Sequence, residues 1–221
     1  YQTEKTLPEF ARKHLGKQFR VSFVFADARD RHLLPGLEVL KDADVLLVSV
    51  RRRPLRKEQM ALVRQFVASG RPVVGIRTAS HAFAPFKGQK LPAGVEAWPE
   101  FDRDVLGCHY DGHHGANLKT RVRPAAGAEK HPILAGVKGR EWELPSSLYR
   151  SKPLAGGAVV LLTGRAGDNP AEPVAWAWQR KDGGRTFCTS LGHPGDFKEE
   201  GFVRLLRNGI CWAAKVAVPQ E

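Results

Sequence analysis

Apolar residues along this chain follow two spacings, one typical of helices and one typical of buried strands. Within residues 57–69 apolar side chains recur at helical spacing before Gly70 ends the predicted helix. Residues 20–26, 44–50 and 72–76 are nearly continuous apolar runs, which are typical of strands covered by helices on both faces. Strands and helices that alternate in this order form a parallel sheet with right-handed crossovers. The first half of the chain therefore predicts a doubly wound α/β domain.

Capping and periodicity predict the helices at the two ends of the chain. Thr6 and Glu9 have the spacing of a capping box, which predicts a helix from Thr6 to about Leu15. Residues 199–215 carry an amphipathic pattern and predict the last helix. Because a doubly wound domain ordinarily begins with a strand, we expect the first strand of this one to lie upstream of Tyr1.

The second half of the chain predicts antiparallel strands. Residues 117–123 alternate between apolar and basic side chains, which predicts an antiparallel extension of the sheet. Residues 158–163, 173–179 and 185–191 read as strands, and Asp182-Gly183-Gly184 joins the last two as a hairpin. We predict a three-layer, flavodoxin-like fold: a mostly parallel sheet with helices on both faces and a small antiparallel extension.

Polar side chains follow the apolar run 72–76 at the point where the predicted strand ends. They are Arg77, Ser80 and His81, and Arg51 follows the preceding predicted strand in the same way. Ligands of open α/β sheets bind in the crevice beyond the carboxyl ends of the strands. The sequence therefore predicts a ligand site at this edge, with Arg51, Ser80 and His81 as binding residues.

The loop-like segment 84–100 predicts a wall of the site, because such insertions often carry binding residues. It contains Trp98, whose ring could stack on a sugar. A tryptophan that anchors a long loop to the core is equally common. Both interpretations of Trp98 stay open at this point.

Residues 108–114 contain the densest group of candidate metal ligands. If this segment is extended, His109, Asp111 and His113 share one face, and two imidazoles with a carboxylate suit Zn²⁺, Mn²⁺ or Fe²⁺. Their spacing matches no established metal signature. A divalent metal and a metal-free acid/base role for these side chains are therefore both open.

The sequence contains Gly75-Ile76-Arg77 after an apolar run, and three further motifs at residues 173–176, 184–193 and 205–213. Together these motifs resemble the ThuA-like (trehalose utilisation) family, whose fold is that of class I glutamine amidotransferases. Gly75-Ile76-Arg77 resembles the Gly-Ile-His stretch of that family. Residues 173–176, 184–193 and 205–213 resemble its closing strand, its Leu-Gly-His turn and its final helix. The chain departs from the family at Arg77, where His is usual, and at Ser146-Ser147, where an acidic pair normally precedes Leu-Tyr.

The resemblance also suggests individual site residues. Tyr110 to His113 corresponds to a Phe-x-x-His stretch of the family, which favours His113, and Tyr149 matches the tyrosine after the acidic pair. The segment from Gly192 to Asp196 resembles the His-Pro-Glu end of the amidotransferase triad, which favours His193. The resemblance implies sugars or keto-sugars as substrates.

The residue types at these positions limit the reactions that the predicted site could catalyse. A glutaminase needs a thiolate at the position of Arg77, and a guanidinium cannot act as a nucleophile. Arg77 can stabilise developing negative charge, with His113 or His193 as the base. We expect Arg77 and His193 to line one crevice, with His113 or Tyr149 at its rim. Since an arginine and a histidine repel when both are charged, we expect Arg77 to serve function rather than stability.

Two functions from different classes follow. The first is a carbohydrate-processing enzyme that hydrolyses, eliminates or isomerises a sugar or keto-sugar by acid/base chemistry, without glutaminase activity. The second is a catalytically silent sugar-binding or interaction domain of a larger secreted protein. The replaced motif positions favour the second function, whereas the retained His113 and His193 favour the first.

Composition limits the classes of partner. The 221 residues, 42% of them hydrophobic, suit one domain, residues 1–221. The net charge of +12 would favour acidic partners, but apart from residues 51–53 the basic residues are scattered and no nucleic-acid module is present, so nucleic acid is not expected. Three cysteines make no disulfide framework. Without a membrane-length apolar run or a signal-peptide pattern, we expect a soluble protein, cytoplasmic or, if a leader is missing, secreted or periplasmic. A homo-oligomer stays open.

Overall fold

The computed structural model describes residues 2–115, 118–137 and 141–219. Its helices are α1 (Thr3–His14), α2 (Lys57–Ala68) and α3 (Glu200–Ala213). Its strands are β1 (Leu46–Val48), β2 (Leu55–Arg56), β3 (Val73–Ile76), β4 (Val95–Glu96), β5 (Thr120–Pro124), β6 (Trp142–Leu144), β7 (Val159–Arg165), β8 (Glu172–Gln179) and β9 (Arg185–Thr189). Short helical turns span Leu37–Lys41, Arg77–His81, Asp102–Leu106, Pro132–Leu134 and Pro194–Lys198.

Seven strands form the main sheet in the order β1-β3-β9-β8-β7-β5-β6. The pairs β1–β3 and β3–β9 are parallel, and the four remaining pairs are antiparallel. Strands β2 and β4 form a separate two-stranded sheet. Because β1, β3 and β9 run in the same direction, the segments that follow their carboxyl ends meet at one edge of the sheet.

Helices cover both faces of this sheet. On one face, Phe10 of α1 and Phe202 of α3 belong to a buried cluster with Val74, Ile76 and Phe187 of the sheet. On the other face, α2 packs its apolar side into a second cluster, through Met60, Val63, Phe66 and Val67. The α/β class, the three layers and the flavodoxin-like fold are thereby confirmed. The antiparallel part is larger than the small extension expected from residues 117–123.

The segment 20–26 is not a strand, contrary to the sequence-based expectation. Val24 and Ala26 pack against the second apolar cluster, but Val21, Phe23 and Phe25 are exposed. A strand needs a neighbour that completes its hydrogen bonds, and in the described part of the chain none pairs with this segment. Its composition suits a strand, but composition alone cannot supply the neighbour.

Two further elements differ from expectation. α1 begins at Thr3 rather than at Thr6, and the Thr6 hydroxyl bonds the Gln2 carbonyl instead of acting in a capping box. Residues 142–144, which are not among the predicted strands, form β6 because their backbone pairs with β5. No helix among the described residues is long and apolar enough to cross a membrane.

Candidate functional site at the carboxyl edge of the parallel strands

Arg77 occupies the turn directly after β3. Its φ angle of 47° lies in the left-handed region, which is uncommon for a residue other than glycine. Such a conformation costs on the order of 1–3 kcal/mol and persists only where the surroundings enforce it. The side chain is 3% exposed. The surrounding structure therefore fixes both the backbone and the side chain of Arg77 at the turn that follows β3.

Three hydrogen bonds hold the Arg77 guanidinium between separate segments. Nη1 donates to the Ser146 hydroxyl and to the Ser190 carbonyl, each at 3.1 Å. Nη2 donates to the Ser147 hydroxyl at 3.0 Å. These bonds join the turn after β3, the loop before Tyr149 and the end of β9, so Arg77 has structural contacts that were not expected for a residue serving function rather than stability.

Asp196 completes this network from the opposite side. Its Oδ2 accepts hydrogen bonds from the Ser146 hydroxyl, from the Gly192 N–H at 2.7 Å and from the His193 N–H at 3.0 Å. Burial raises the pKa of the Asp196 carboxyl, and the bonds from Ser146 and Gly192 and the charge of Arg77 oppose that rise only in part. Arg77 and the His193 segment thus meet through Ser146 and Asp196.

His193 begins the turn Pro194–Lys198 and caps it. Its Nδ1 accepts a hydrogen bond from the Gly195 N–H at 3.1 Å, and the ring is half-buried. The backbone therefore engages Nδ1, and this bond leaves Nε2 of the ring unused. His131 caps its own turn in the same way, because its Nδ1 accepts a hydrogen bond from the Ile133 N–H.

A group of four rings, His81, Tyr110, His113 and Tyr149, lies beside Arg77. His81 stacks on Tyr110 with ring centroids 4.3 Å apart, and Tyr110 and Tyr149 are 5.0 Å apart. His113 pairs with Tyr149 through the backbone and lies 6.4 Å from it ring to ring. The guanidinium carbon of Arg77 lies 4.9 Å from the Tyr149 centroid. We call these four side chains the ring group.

The members of the ring group differ in exposure. His81 and Tyr149 are buried, Tyr110 is half-buried and His113 is exposed. Burial, together with the charges of Arg52, Arg51 and Arg77, lowers the pKa of His81 to about 3. His81 is therefore neutral near pH 7, and its Nδ1 lies 3.2 Å from the Ser80 hydroxyl. His113 is therefore the more exposed of the two imidazoles in this group.

The three predicted metal ligands are not brought together. His109 contacts Arg103 and Asp102, Asp111 forms an ion pair with Arg150 at 3.4 Å, and His113 belongs to the ring group. Within the described ranges, no three His, Cys, Asp or Glu side chains are placed to hold a metal ion. The residues present do not fit a metal centre, and no step below uses one.

Trp98 anchors its loop to the core. It is 8% exposed, its Nε1 donates to Asp104 at 2.8 Å, and the Arg64 guanidinium carbon lies 4.2 Å from its ring centroid. Of its two interpretations, the structure supports the anchor, since the indole is enclosed by Phe101 and Arg64.

The structure adds residues that sequence reasoning did not select. Tyr110 and Asp196 belong to the site, and both stand inside motifs that were noticed for a neighbouring histidine. Ser146 and Ser147 were noticed only as departures from a family pattern, yet both accept hydrogen bonds from Arg77. An arginine in place of the usual histidine, paired with two serines in place of two carboxylates, is the signal that could have found them.

Two cavities lie away from Arg77. One of about 620 Å³ is lined by Arg185, Trp212 and Lys215, at the end of β9 opposite to His193. Another of about 230 Å³ is lined by Arg103, His109 and Pro153. Neither cavity includes a member of the ring group.

The family of this chain follows from comparison with known proteins. The model of the trehalose utilisation family, ThuA, matches residues 2–213, so the chain belongs to the ThuA family. Among curated proteins there is no match.

Solved structures agree on the fold. The chain is similar to a ThuA-like protein from Bacteroides uniformis (18% identity, TM-score 0.68, covering 95% of this chain and 83% of that one). A ThuA-like protein from Parabacteroides merdae gives 18% identity and a TM-score of 0.67, covering 99% of this chain and 86% of that one. A β-galactosidase from Rahnella sp. R3 gives 15% identity and a TM-score of 0.59, covering 100% of this chain and 28% of that one. At these identities the likeness concerns the fold alone.

Proposed function

We propose that this protein binds a sugar or keto-sugar at the ring group and transforms it by acid/base chemistry. One observation carries the proposal: the rings of His81, Tyr110, His113 and Tyr149 meet at the carboxyl edge of the parallel strands, beside the Arg77 guanidinium. Aromatic surfaces with a few placed polar groups are typical of small-molecule sites at this position of an α/β sheet. Membership in the ThuA family supports a carbohydrate-related role.

The proposed roles of the side chains differ with their exposure to solvent. His113 is exposed and stands at the rim, where an imidazole can take or give a proton at a sugar hydroxyl or at a carbon beside a carbonyl. His193 is half-buried and keeps one ring nitrogen for the same purpose. The guanidinium carbon of Arg77 lies 4.9 Å from the Tyr149 centroid, so its positive charge favours negative charge that develops on a sugar bound beside this ring. Ser80 and His81 supply neutral hydrogen-bonding groups.

Glutaminase activity does not belong to this proposal. The residue at the turn after β3 is Arg77, and the side chains of Cys108, Cys188 and Cys211 are all buried. Hydrolysis of glutamine by this fold would need an accessible thiolate at that turn.

The test separates binding from turnover. Disaccharides and their 3-keto derivatives are incubated with the protein and followed by ¹H NMR, while calorimetry measures binding. His113→Gln should bind the sugar but lose most turnover, about 10²-fold or more for a lost acid/base group. His14→Gln, at a half-buried histidine on α1, serves as the matched control and should behave as the wild type. Absence of binding to every sugar would overturn the proposal.

A second function, a catalytically silent sugar-binding domain of a larger protein, is favoured by one specific observation. Arg77 donates to Ser146, Ser147 and the Ser190 carbonyl, so the residue at the usual reactive position is engaged by the protein itself. The similar β-galactosidase contains a region of this fold as 28% of its length. Sugar binding without turnover in the same experiment would select this second function.

A further inference from the structure

The basic residues after β1 are fixed to the turn that carries His81. The Arg52 N–H donates to the His81 carbonyl at 3.0 Å, and the Arg53 N–H donates to the Ala82 carbonyl at 2.6 Å. Arg52 also has a positive φ of 45°. Left-handed backbone at a residue with a long side chain is costly and tends to occur at functional sites. This loop is therefore held in one conformation next to the ring group.

Three guanidinium groups from this region surround one exposed ring, that of Phe86. The guanidinium carbons of Arg31, Arg52 and Arg51 lie 5.5, 5.7 and 5.8 Å from its centroid. The Arg52 Nη1 donates to the Pro85 carbonyl at 2.9 Å, which fixes the head group of that side chain. Arg31 is distant in sequence from the adjacent Arg51 and Arg52, but the fold places the three charges around the same ring. We call Arg31, Arg51 and Arg52 the arginine cluster.

Carbonyl oxygens of the protein hold Arg31, Arg52 and Arg53 together but do not neutralise the charges of Arg31 and Arg52. The Arg31 Nη2 donates to the Arg52 carbonyl at 2.7 Å, and the Arg53 Nη1 donates to the Arg31 carbonyl. Asp30, the neighbouring carboxylate, is engaged by Arg56 at 2.7 Å. Among the described residues, neither Arg31 nor Arg52 forms an ion pair with a carboxylate. Like charges gathered in this way repel, and an anion would relieve the repulsion.

We propose that the arginine cluster binds an oxyanion carried by the sugar ligand, so that the ligand of this protein is an anionic sugar. The inference rests on the proposed function, because it extends the same site. The backbone N–H of Arg52 donates to the carbonyl of His81, whose ring stacks on Tyr110, so the cluster and the ring group are neighbours. A ligand whose sugar ring contacts Tyr110 and His113 can therefore direct a charged substituent toward the cluster. Guanidinium groups bind phosphate, sulfate and carboxylate oxygens with paired N–H donors.

The arrangement favours a small ligand over a polymer. The three charges surround one ring instead of forming a stripe, whereas a nucleic acid or a long polysaccharide is bound by a basic surface that follows its backbone. Phosphate and carboxylate sugars share the chemistry that the cluster recognises, and separate probes distinguish them.

The test is calorimetric titration at low ionic strength with glucose, glucose 6-phosphate, glucuronate and inorganic phosphate. We expect one of the charged sugars to bind at least about tenfold more tightly than glucose, and added salt to weaken that preference. Arg51→Gln and Arg31→Gln, both at exposed residues, should each remove most of the preference. Arg12→Gln removes the same charge from the exposed side of α1 and should leave the preference intact.

The outcomes distinguish this inference from the proposed function. Equal binding of charged and neutral sugars, or equal losses in Arg51→Gln and Arg12→Gln, would overturn the inference while leaving the sugar site standing. Binding of inorganic phosphate that depends on Arg51, without binding of any sugar, would support an anion site at the arginine cluster but overturn both the proposed function and the assignment of the anion to a sugar. Preferential binding of heparin or duplex DNA in a manner that depends on Arg51 would overturn the assignment to a small ligand.

Discussion

Arg77 and Asp196 are joined through the hydroxyl of Ser146, which accepts a hydrogen bond from the Arg77 guanidinium at 3.1 Å and donates one to the Asp196 carboxylate. The two charged side chains come from turns that follow β3 and β9, and Ser146 comes from the loop before Tyr149. One buried hydroxyl therefore connects the three segments that form the candidate site.

Replacing Arg77 should destabilise the protein. Arg77→Ala removes three hydrogen bonds and leaves Asp196 buried without its neighbouring positive charge, so the free energy of unfolding should fall by about 3 kcal/mol. Arg77→Lys should recover only part of this loss, because one ammonium cannot match the forked geometry of a guanidinium. Denaturant unfolding measures both variants.

Arg121→Ala is the matched control for this experiment. Arg121 lies on β5 with an exposed side chain and a 3.8 Å ion pair to Glu141, so its removal should change stability by less than about 1 kcal/mol. An Arg77→Ala variant that unfolds at the same denaturant concentration as the wild type would show that the network contributes nothing to folding.

The pH dependence of stability should reveal the raised pKa of Asp196. Above the ordinary carboxyl pKa of 3.8, the unfolded chain releases this proton while the folded protein still holds it. The wild type should therefore lose stability relative to Asp196→Asn as the pH rises from 3.8 to the raised pKa, and the difference should then become constant. A wild type that gains stability relative to Asp196→Asn over the same pH range would contradict this assignment.

His81 should make the stability of the protein depend on pH in the direction opposite to that expected for Asp196. The unfolded chain binds a proton at this imidazole near pH 6.5, but the folded protein binds it only near pH 3. Relative to His81→Phe, the wild type should lose stability as the pH falls from 6.5, by at most about 1.4 kcal/mol per pH unit. Urea unfolding at several pH values measures the difference, and a flat difference between pH 6.5 and 4 would refute the burial of a neutral His81.

The protein should release no ammonia from glutamine. Arg77 stands where a glutaminase needs its nucleophile, and all three cysteines are buried. A coupled ammonia assay tests this directly. Ammonia release that disappears in a Cys108→Ser, Cys188→Ser or Cys211→Ser variant would show that a thiol of this chain attacks glutamine after all.

The sequence predicts well those features that depend on local pattern. α2 and the turn after β3 appear where apolar spacing and glycine placement put them, because these signals act within a few residues. The run 20–26 fails as a strand because strand formation depends on a neighbour that local pattern does not identify. The antiparallel part was underestimated for the same reason, since pairing partners such as β5 and β7 are distant along the chain.

The site was predictable only in outline. The strand-end rule places Arg77, Ser80 and His81 correctly at one edge, and the resemblance to the ThuA family adds Tyr149 and His113. What the sequence does not contain is the direction of each side chain. Arg77 was expected to face a ligand, but it turns inward because Ser146 and Ser147 accept its hydrogen bonds. The arginine cluster could not be predicted from the sequence, because Arg31 lies far from Arg51 along the chain and only the fold brings both to Phe86.

The central claim, that the ring group binds the sugar, is tested most directly by following the histidine rings. The chain has eight histidines, spread over the site and away from it, and each imidazole gives its own signals in ¹H–¹⁵N NMR spectra. During titration with trehalose, its 3-keto derivative or a charged sugar, we predict shifts of the His81 and His113 signals and none at His14 on α1 or at His131 beside Trp212. Shifts confined to His131, next to the 620 Å³ cavity lined by Trp212, with His81 and His113 unchanged, would contradict the claim.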